Sequence, residues 1–160
     1  EFRKSSMGLL LWGNVGTGKS FIAGCIANAL LDQGVPVMMT NFARLLNKLT
    51  DMYSGDRNAY INSFNSFPLL IIDDLGVERN SEFARVQVFN IIDSRYRKKL
   101  PMIVTTNLTM DQMKDEVDIR YCRIYDRIFE TCYPMQFSGP SWRRVEANKR
   151  FTDMASLLGD

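Results

Sequence analysis

GLLLWGNVGTGKSFIAGCIANA, residues 8–29, decides the fold. Gly8 to Trp12 is a short apolar run of the length of a buried strand. Gly13, Gly18, Lys19 and Ser20 then satisfy G-x-x-x-x-G-K-[ST], and from Phe21 onward the apolar residues take up helical spacing. Strand, glycine loop and helix, in that order, are the context in which the pattern means a phosphate-binding loop. Glycines at 13, 16 and 18 let the backbone turn and approach an anion closely, with successive N–H groups pointing inward. The following helix adds its positive N-terminal end. Lys19 supplies a cation for the β and γ phosphates, and the Ser20 hydroxyl is a hard ligand for Mg²⁺. The expected nucleotide cradle is therefore Gly13, Asn14, Val15, Gly16, Thr17, Gly18, Lys19, Ser20 and Phe21, with ATP or ADP and Mg²⁺ as cofactors.

Working outward, apolar strands and amphipathic helices alternate at the intervals of βαβ crossovers. This predicts an α/β sandwich of three layers around a mainly parallel sheet. A helix is expected over 19–33, with Ile22, Ile26, Ala29 and Leu30 on its apolar face and Gly34 stopping it. A buried strand is expected over 35–40, then a helix capped by Asn41 and running to about Tyr53. Residues 54–58 read as a polar break, and 59–67 carry no clear pattern. LLIIDDL, residues 69–75, is the strongest strand signal. A helix over 81–99 carries the stripe Phe83, Val86, Phe89, Ile92 and Tyr96, and PMIVTT, residues 101–106, forms a further strand.

Ligands of such sheets bind beyond the carboxyl ends of the strands, where the acidic and polar residues fall. Four apolar residues followed by Asp73-Asp74 form a Walker B element. A carboxylate ending a buried strand is costly unless it faces a cation or donors. Asp73 is thus expected to hold Mg²⁺ with Ser20, and Asp74 to orient or deprotonate the attacking water. Asn107 ends the next strand and suits a sensor of the γ-phosphate, although an ordinary turn or N-cap role fits it too.

A chain of 160 residues with 46 % hydrophobic and 24 % charged residues fits one globular domain. The net charge of +2 advertises no polyanionic partner, so any nucleic-acid surface must be local. There is no histidine, and Cys25, Cys122 and Cys132 lack metal-ligand spacing, which argues against a zinc site or a histidine-based triad. Cys25 is expected to be buried on the apolar face of its helix, and the cysteine pattern suits a reducing cytoplasm. No apolar run has the length needed to span a membrane.

GLLLWGNVGTGKS, LLIIDDLG, IVTTN, RIYDRI and SWRR together resemble the AAA+ ATPases. More narrowly, they resemble the DnaC/DnaI-type replicative helicase loaders and their IstB-like relatives, the transposition ATPases. The resemblance runs from about Gly8 onward and implies a single AAA+ domain over residues 1–160 with a truncated C-terminal lid. It also implies an N-terminal extension, not part of this sequence, that contacts the replicative helicase. Most AAA+ proteins carry Glu where Asp74 stands, and the shorter acid implies slow hydrolysis. On a helix spanning 119–132, Arg123 and Arg127 fall where the family keeps subunit-boundary arginines, one of which completes a neighbour's ATP site. A solvated basic face paired with Asp126 and Glu130 is the simpler reading of the same residues. Arg143 resembles the arginine that reaches the γ-phosphate in cis, with Arg144 competing for the role. Arg44, Lys48 and Tyr53 fall where loaders grip single-stranded DNA.

The implied function is an ATP-dependent loader that self-associates on single-stranded DNA and the helicase. The alternative is a transposition helper acting on double-stranded DNA. A small-molecule kinase fits the paired acids and Asn107 poorly. A GTPase lacks its NKxD motif, because Leu49-Thr50 follows Asn47-Lys48. A degenerate adaptor would bind nucleotide without turnover.

Overall fold

Alternation along the apolar runs builds a two-sided core. The structure is a computed structural model that describes residues 6–76 and 81–158. Strands β1 (Gly8–Gly13), β2 (Val37–Asn41), β3 (Leu69–Leu75), β4 (Met102–Thr106) and β5 (Cys132–Phe137) form one parallel sheet. Their order is β2-β3-β4-β1-β5. Leu11, Leu69, Ile71 and Ile103 face helix α1 (Lys19–Leu31), where they meet Ala23, Ala27 and Leu30. Their neighbours Leu10, Leu70, Ile72, Met102 and Val104 face the other side. There they pack under α2 (Phe42–Thr50), α3 (Ser54–Ser63), α4 (Glu82–Arg97) and α6 (Ile119–Thr131). The short α5 (Met110–Lys114) and the terminal α7 (Trp142–Leu158) complete the helices. Strands buried on both faces explain why LLII and MIV read as unbroken apolar runs.

Several expected elements differ in extent or face. The buried side of α1 is Ala23, Ala27 and Leu30, so Ile22 and Cys25 are exposed rather than buried. Small alanines let the helix lie close on the sheet, and the bulkier residues turn outward. Strand β2 starts at Val37 and is only half-buried, because it forms the sheet edge. Asn41 does cap α2, its side chain accepting from the Ala43 N–H at 3.0 Å, but the helix ends at Thr50.

The polar stretch 54–58 is helical, not a break. Helix α3 is held by burial of Ile61 and Phe64. Arg57 Nε also donates to the Met52 carbonyl at 2.8 Å. Tertiary packing has overridden weak local propensity here.

Strand β5 had no counterpart among the expected elements. Pro134 argues against an interior strand, but β5 is an edge strand and needs one ladder only. The buried face of α4 is Ala84, Val88, Ile91, Ile92 and Arg95. Phe83, Phe89 and Tyr96 of the expected stripe lie partly buried, and Val86 is exposed. Those aromatics meet cations: Arg57 sits over Phe83, and Arg127 over Phe89 and Tyr96.

Arg95 itself is fully buried. It donates to the carbonyls of Phe64 (3.1 Å), Phe67 (2.7 Å), Pro68 (3.3 Å) and Pro101. These carbonyls include the approaches to β3 and β4, so one guanidinium staples the end of the sheet remote from the glycine loop. Burial pushes its pKa down to about 10, which still leaves it charged at neutral pH.

Candidate functional site

The glycine loop sits at the carboxyl end of β1, between the ends of β4 and β5. Two of its glycines have no room for a side chain. A Cβ on Gly13 would lie 2.2 Å from the Phe137 carbonyl oxygen, and one on Gly16 would lie 2.1 Å from Ser141 Oγ. Both also hold positive φ, 127° and 80°. The backbone is therefore packed from behind by β5 and the start of α7. Gly18 caps α1 without a side chain, and no acidic residue occupies the first turn. The orphan N–H groups and the positive helix end are left for an anion.

Lys19 is buried, and its Nζ donates to the Gly13 carbonyl at 2.8 Å and the Asn14 carbonyl at 2.6 Å. Burial pushes its pKa below the ordinary lysine value. The negative charges of Asp74 and then Asp73 oppose that shift, and Arg143 adds to it. Those couplings put both acids and Arg143 within electrostatic reach of the amine.

A cavity of about 810 Å³ opens over the loop. Val15, Gly16, Thr17, Gly18, Lys19, Ser20 and Phe21 line it, together with Asp74, Asn107 and Arg143. Three separate strand ends and the last helix thus contribute to one concavity. Arg143 lines the cavity and Arg144 does not. Gly13 and Asn14 are not among the lining residues; their carbonyls touch Lys19, which is.

Asp73 and Asp74 occupy an irregularity in the β3–β4 ladder, where the register shifts between Ile72 and Leu75. Asp74 adopts φ 58°, a left-handed conformation that Asp tolerates better than most residues. The bulge turns Asp74 into the cavity wall. Asp73 is held differently: Thr105 Oγ1 donates to its Oδ1 at 2.6 Å. The same hydroxyl accepts from the Asp74 N–H at 2.9 Å. Thr105 is fully buried and so fixes both acids at once. The signal for it lay in the run IVTTN, where a hydroxyl ending an apolar central strand demands a partner.

Asp73 is not among the residues that line the cavity, so its fit to Mg²⁺ together with Ser20 rests on the chemistry of the two oxygens. Thr105 engages Oδ1 of Asp73 and leaves Oδ2 without a hydrogen bond among the described residues, and Ser20 adds a hard hydroxyl oxygen. Thr105→Val is expected to lower unfolding free energy by about 1–3 kcal/mol, because both acid contacts lose their partner. Urea denaturation measures it, and an unchanged midpoint and slope would contradict the support role.

The other expected residues lie elsewhere. Arg123 is exposed on α6, with no ion pair among the described residues. Arg127 is engaged within its own chain, with Nη2 2.7 Å from Asp93 Oδ1 and its guanidinium 4.6 Å from the centre of the Phe89 ring. Neither lines the cavity. Of the partners expected for a solvated face, Glu130 instead accepts from the Tyr96 hydroxyl at 2.6 Å, and Asp126 shows no ion pair among the described residues. Arg44 is exposed on α2, and Lys48 Nζ lies 4.4 Å from the centre of the Tyr60 ring. Tyr53 is 85 % exposed in the extended residue that precedes α3, outside α2.

This geometry agrees with comparisons to known proteins. A family model described as IstB-like ATP binding protein matches residues 1–150. The chain belongs to the IstB-like ATP-binding family. The replicative helicase loader DnaC of Escherichia coli K12 is 29 % identical over 116 residues, covering 71 % of this chain and 47 % of that protein. The loader DnaI of Bacillus subtilis is 27 % identical over 150 residues, covering 85 % of the chain and 47 % of that protein. This IstB-like chain therefore spans about half the length of the curated relatives it matches. A DnaI crystal structure superposes with a TM-score of 0.69 at 28 % identity, covering 84 % of this chain and 72 % of that one. AMPPCP-bound DnaA from Aquifex aeolicus shares the fold, with a TM-score of 0.72 at 17 % identity, covering 96 % and 48 %. The fold is that of the P-loop AAA+ proteins.

Proposed function

We propose that this IstB-like domain is the ATPase core of a replicative helicase loader. The observation that carries the reading is the gathering of Lys19, Ser20, Asp74, Asn107 and Arg143 around one cavity. Its likeness to DnaC and DnaI supports the loader role in particular.

The loop amides and Lys19 bind the β and γ phosphates, and Ser20 and Asp73 hold Mg²⁺. That cation, when bound, neutralises charge on the transferring phosphoryl group. Asp74 accepts a proton from, or orients, the attacking water. Asn107 positions that water against the γ-phosphate, and Arg143 senses the phosphate in cis. ATP binding assembles copies of the chain, and a partner's arginine completes each site. Arg123 suits that role, since its guanidinium is exposed while Arg127 is tied to Asp93. Single-stranded DNA lies against Arg44, Lys48 and Tyr53, and the helicase binds through residues outside this sequence.

Arg123→Ala is expected to leave ATP affinity unchanged and to lower turnover in assemblies by about 1,000-fold, the low end of what an arginine finger contributes. Equal turnover at saturating protein would remove the assignment. Arg127→Ala, by contrast, acts on the α4–α6 packing and shows as lost stability.

A second reading is a transposition helper acting on duplex DNA, and membership of the IstB-like ATP-binding family is compatible with it. Fluorescence anisotropy with matched single- and double-stranded oligonucleotides, with and without ATP and across a salt series, separates the two. Tighter ATP-dependent binding to the single strand supports the loader. Tighter binding to the duplex transfers the function to the helper.

A further inference from the structure

The ladder between β3 and β4 loses step beside the cavity. Ile72 pairs with Val104 and Leu75 with Thr106, so β3 sets two residues, Asp73 and Asp74, against the single Thr105. A bulge of this kind disrupts the ladder locally and bends the strand. Two hydroxyls close the gap here. Thr105 and Thr106 are consecutive, and both are fully buried. Successive strand residues point to opposite faces, so the two side chains reach β3 from opposite sides.

Thr105 serves Asp73 and the Asp74 N–H, as described above. Thr106 makes a different pair of bonds. Its Oγ1 donates to the Leu75 carbonyl at 2.7 Å and accepts from the Leu108 N–H at 3.2 Å. Leu75 follows Asp74 in the chain, and Leu108 follows Asn107. One hydroxyl thus ties the residue after the acid to the residue after the amide. The next residue along leaves little slack either: a Cβ on Gly76, at φ 103°, would lie 2.8 Å from Leu108 Cδ1.

Asp74 and Asn107 both line the cavity, whereas Thr106 does not. An acid and an amide carried on separate strands act on one water only if their separation is held closely. A regular ladder would hold it, and the register shift takes that ladder away at this point. A valine would fill the volume of Thr106 with no polar atom to satisfy. The threonine instead sends both of its hydrogen bonds to the two segments that carry site residues.

We propose that Thr106 is a positioning residue for ATP hydrolysis: by joining Leu75 to Leu108 it sets the separation of Asp74 and Asn107 and so aims both at one attacking water. The inference rests on the hydrolysis reading above and adds to it the part that couples the two strand ends. Thr106 touches neither nucleotide nor water, so its loss spares binding and slows the chemical step.

ATP turnover and calorimetry on the whole chain with Mg²⁺, turnover being counted per nucleotide-binding site, test this clamp. Misplacing a reacting group by about 1 Å costs on the order of 100-fold in rate. Thr106→Val is therefore expected to lower kcat by between about tenfold and about 100-fold, with the Kd for ATP within about twofold of the wild type. Thr106→Ser keeps the hydroxyl and holds kcat within about threefold. A threonine that only supported the fold would change the fraction of active chains, which counting per site removes. Thr106→Val combined with Asn107→Ala loses less than the product of the two single losses, because the clamp then has no amide to aim. The clamp is overturned if Thr106→Val leaves kcat unchanged, if it weakens ATP binding as much as it slows turnover, if Thr106→Ser fails as badly, or if the two losses multiply. A Thr106→Val chain that binds no nucleotide overturns it too. A wild type that binds ATP without turning it over overturns the hydrolysis reading, and the clamp with it. A wild type that hydrolyses ATP at a rate Thr106→Val matches loses the clamp alone.

Discussion

Lys19→Ala is expected to weaken ATP binding by at least about 100-fold while leaving the chain as stable as before. The two halves of that expectation have one cause. The Lys19 amine is buried under the loop, and its lowered pKa shows that the fold holds this charge at a cost. Two carbonyls, those of Gly13 and Asn14, offset part of it. Removing the amine relieves the burial penalty as it forfeits those bonds, so stability changes little. Binding has no such compensation. A charge-assisted contact to phosphate contributes roughly 1.5–3 kcal/mol, and on the proposed reading Lys19 would reach two phosphates. A 100-fold loss corresponds to about 2.7 kcal/mol. Calorimetry with Mg²⁺-ATP beside a urea titration reads both halves. Undiminished affinity would remove the loop from the function altogether.

Arg95→Met is expected to do the opposite: to cost about 3–5 kcal/mol of stability and spare nucleotide binding in whatever remains folded. Replacing both members of a buried polar pair by apolar groups is often harmless. Here only the guanidinium is exchanged, and the carbonyls of Phe64, Phe67, Pro68 and Pro101 stay behind in the dry interior. Unsatisfied acceptors then dominate the balance. Since a domain holds only about 5–15 kcal/mol in total, the variant sits near its unfolding threshold at 37 °C. A denaturation midpoint close to that of the wild type would show that water reaches those carbonyls.

The two residues also show what a sequence discloses. Lys19 was legible because its role is local: a strand, a loop and a helix within 22 residues (8–29) carry the entire signal. The places of Asp74 and Asn107 at the cavity were legible for a similar reason, as polar residues at the ends of apolar strands. Arg95 was not. SRYRKK reads as the solvated end of a helix, and only the approach of two strand starts converts it into a staple. Thr105 lay in plain view, but its bonds to the neighbouring strand depend on a register shift that no periodicity encodes. Strand β5 and helix α3 were hidden by Pro134 and by the Ser-Gly-Asp composition of 54–56. In both, long-range packing decides what local preference leaves open. The stripe on α4 was misread because that helix packs on the sheet and on α6 at once, giving it two buried sides instead of one.

The bond from the Trp142 N–H to the Gly16 carbonyl joins the phosphate cradle to a rod. Helix α7 has 17 residues, or about 25 Å at 1.5 Å per residue, and its described side chains are exposed along nearly all of that length. A rod pinned at its base, its described side chains mostly exposed, would act as a lever: a small tilt at the glycine loop would become a sweep of several ångströms at the tip. Phe151, Met154 and Leu157 are exposed on that far half of the helix. A surface held against them would then feel the loop's position through that one hydrogen bond.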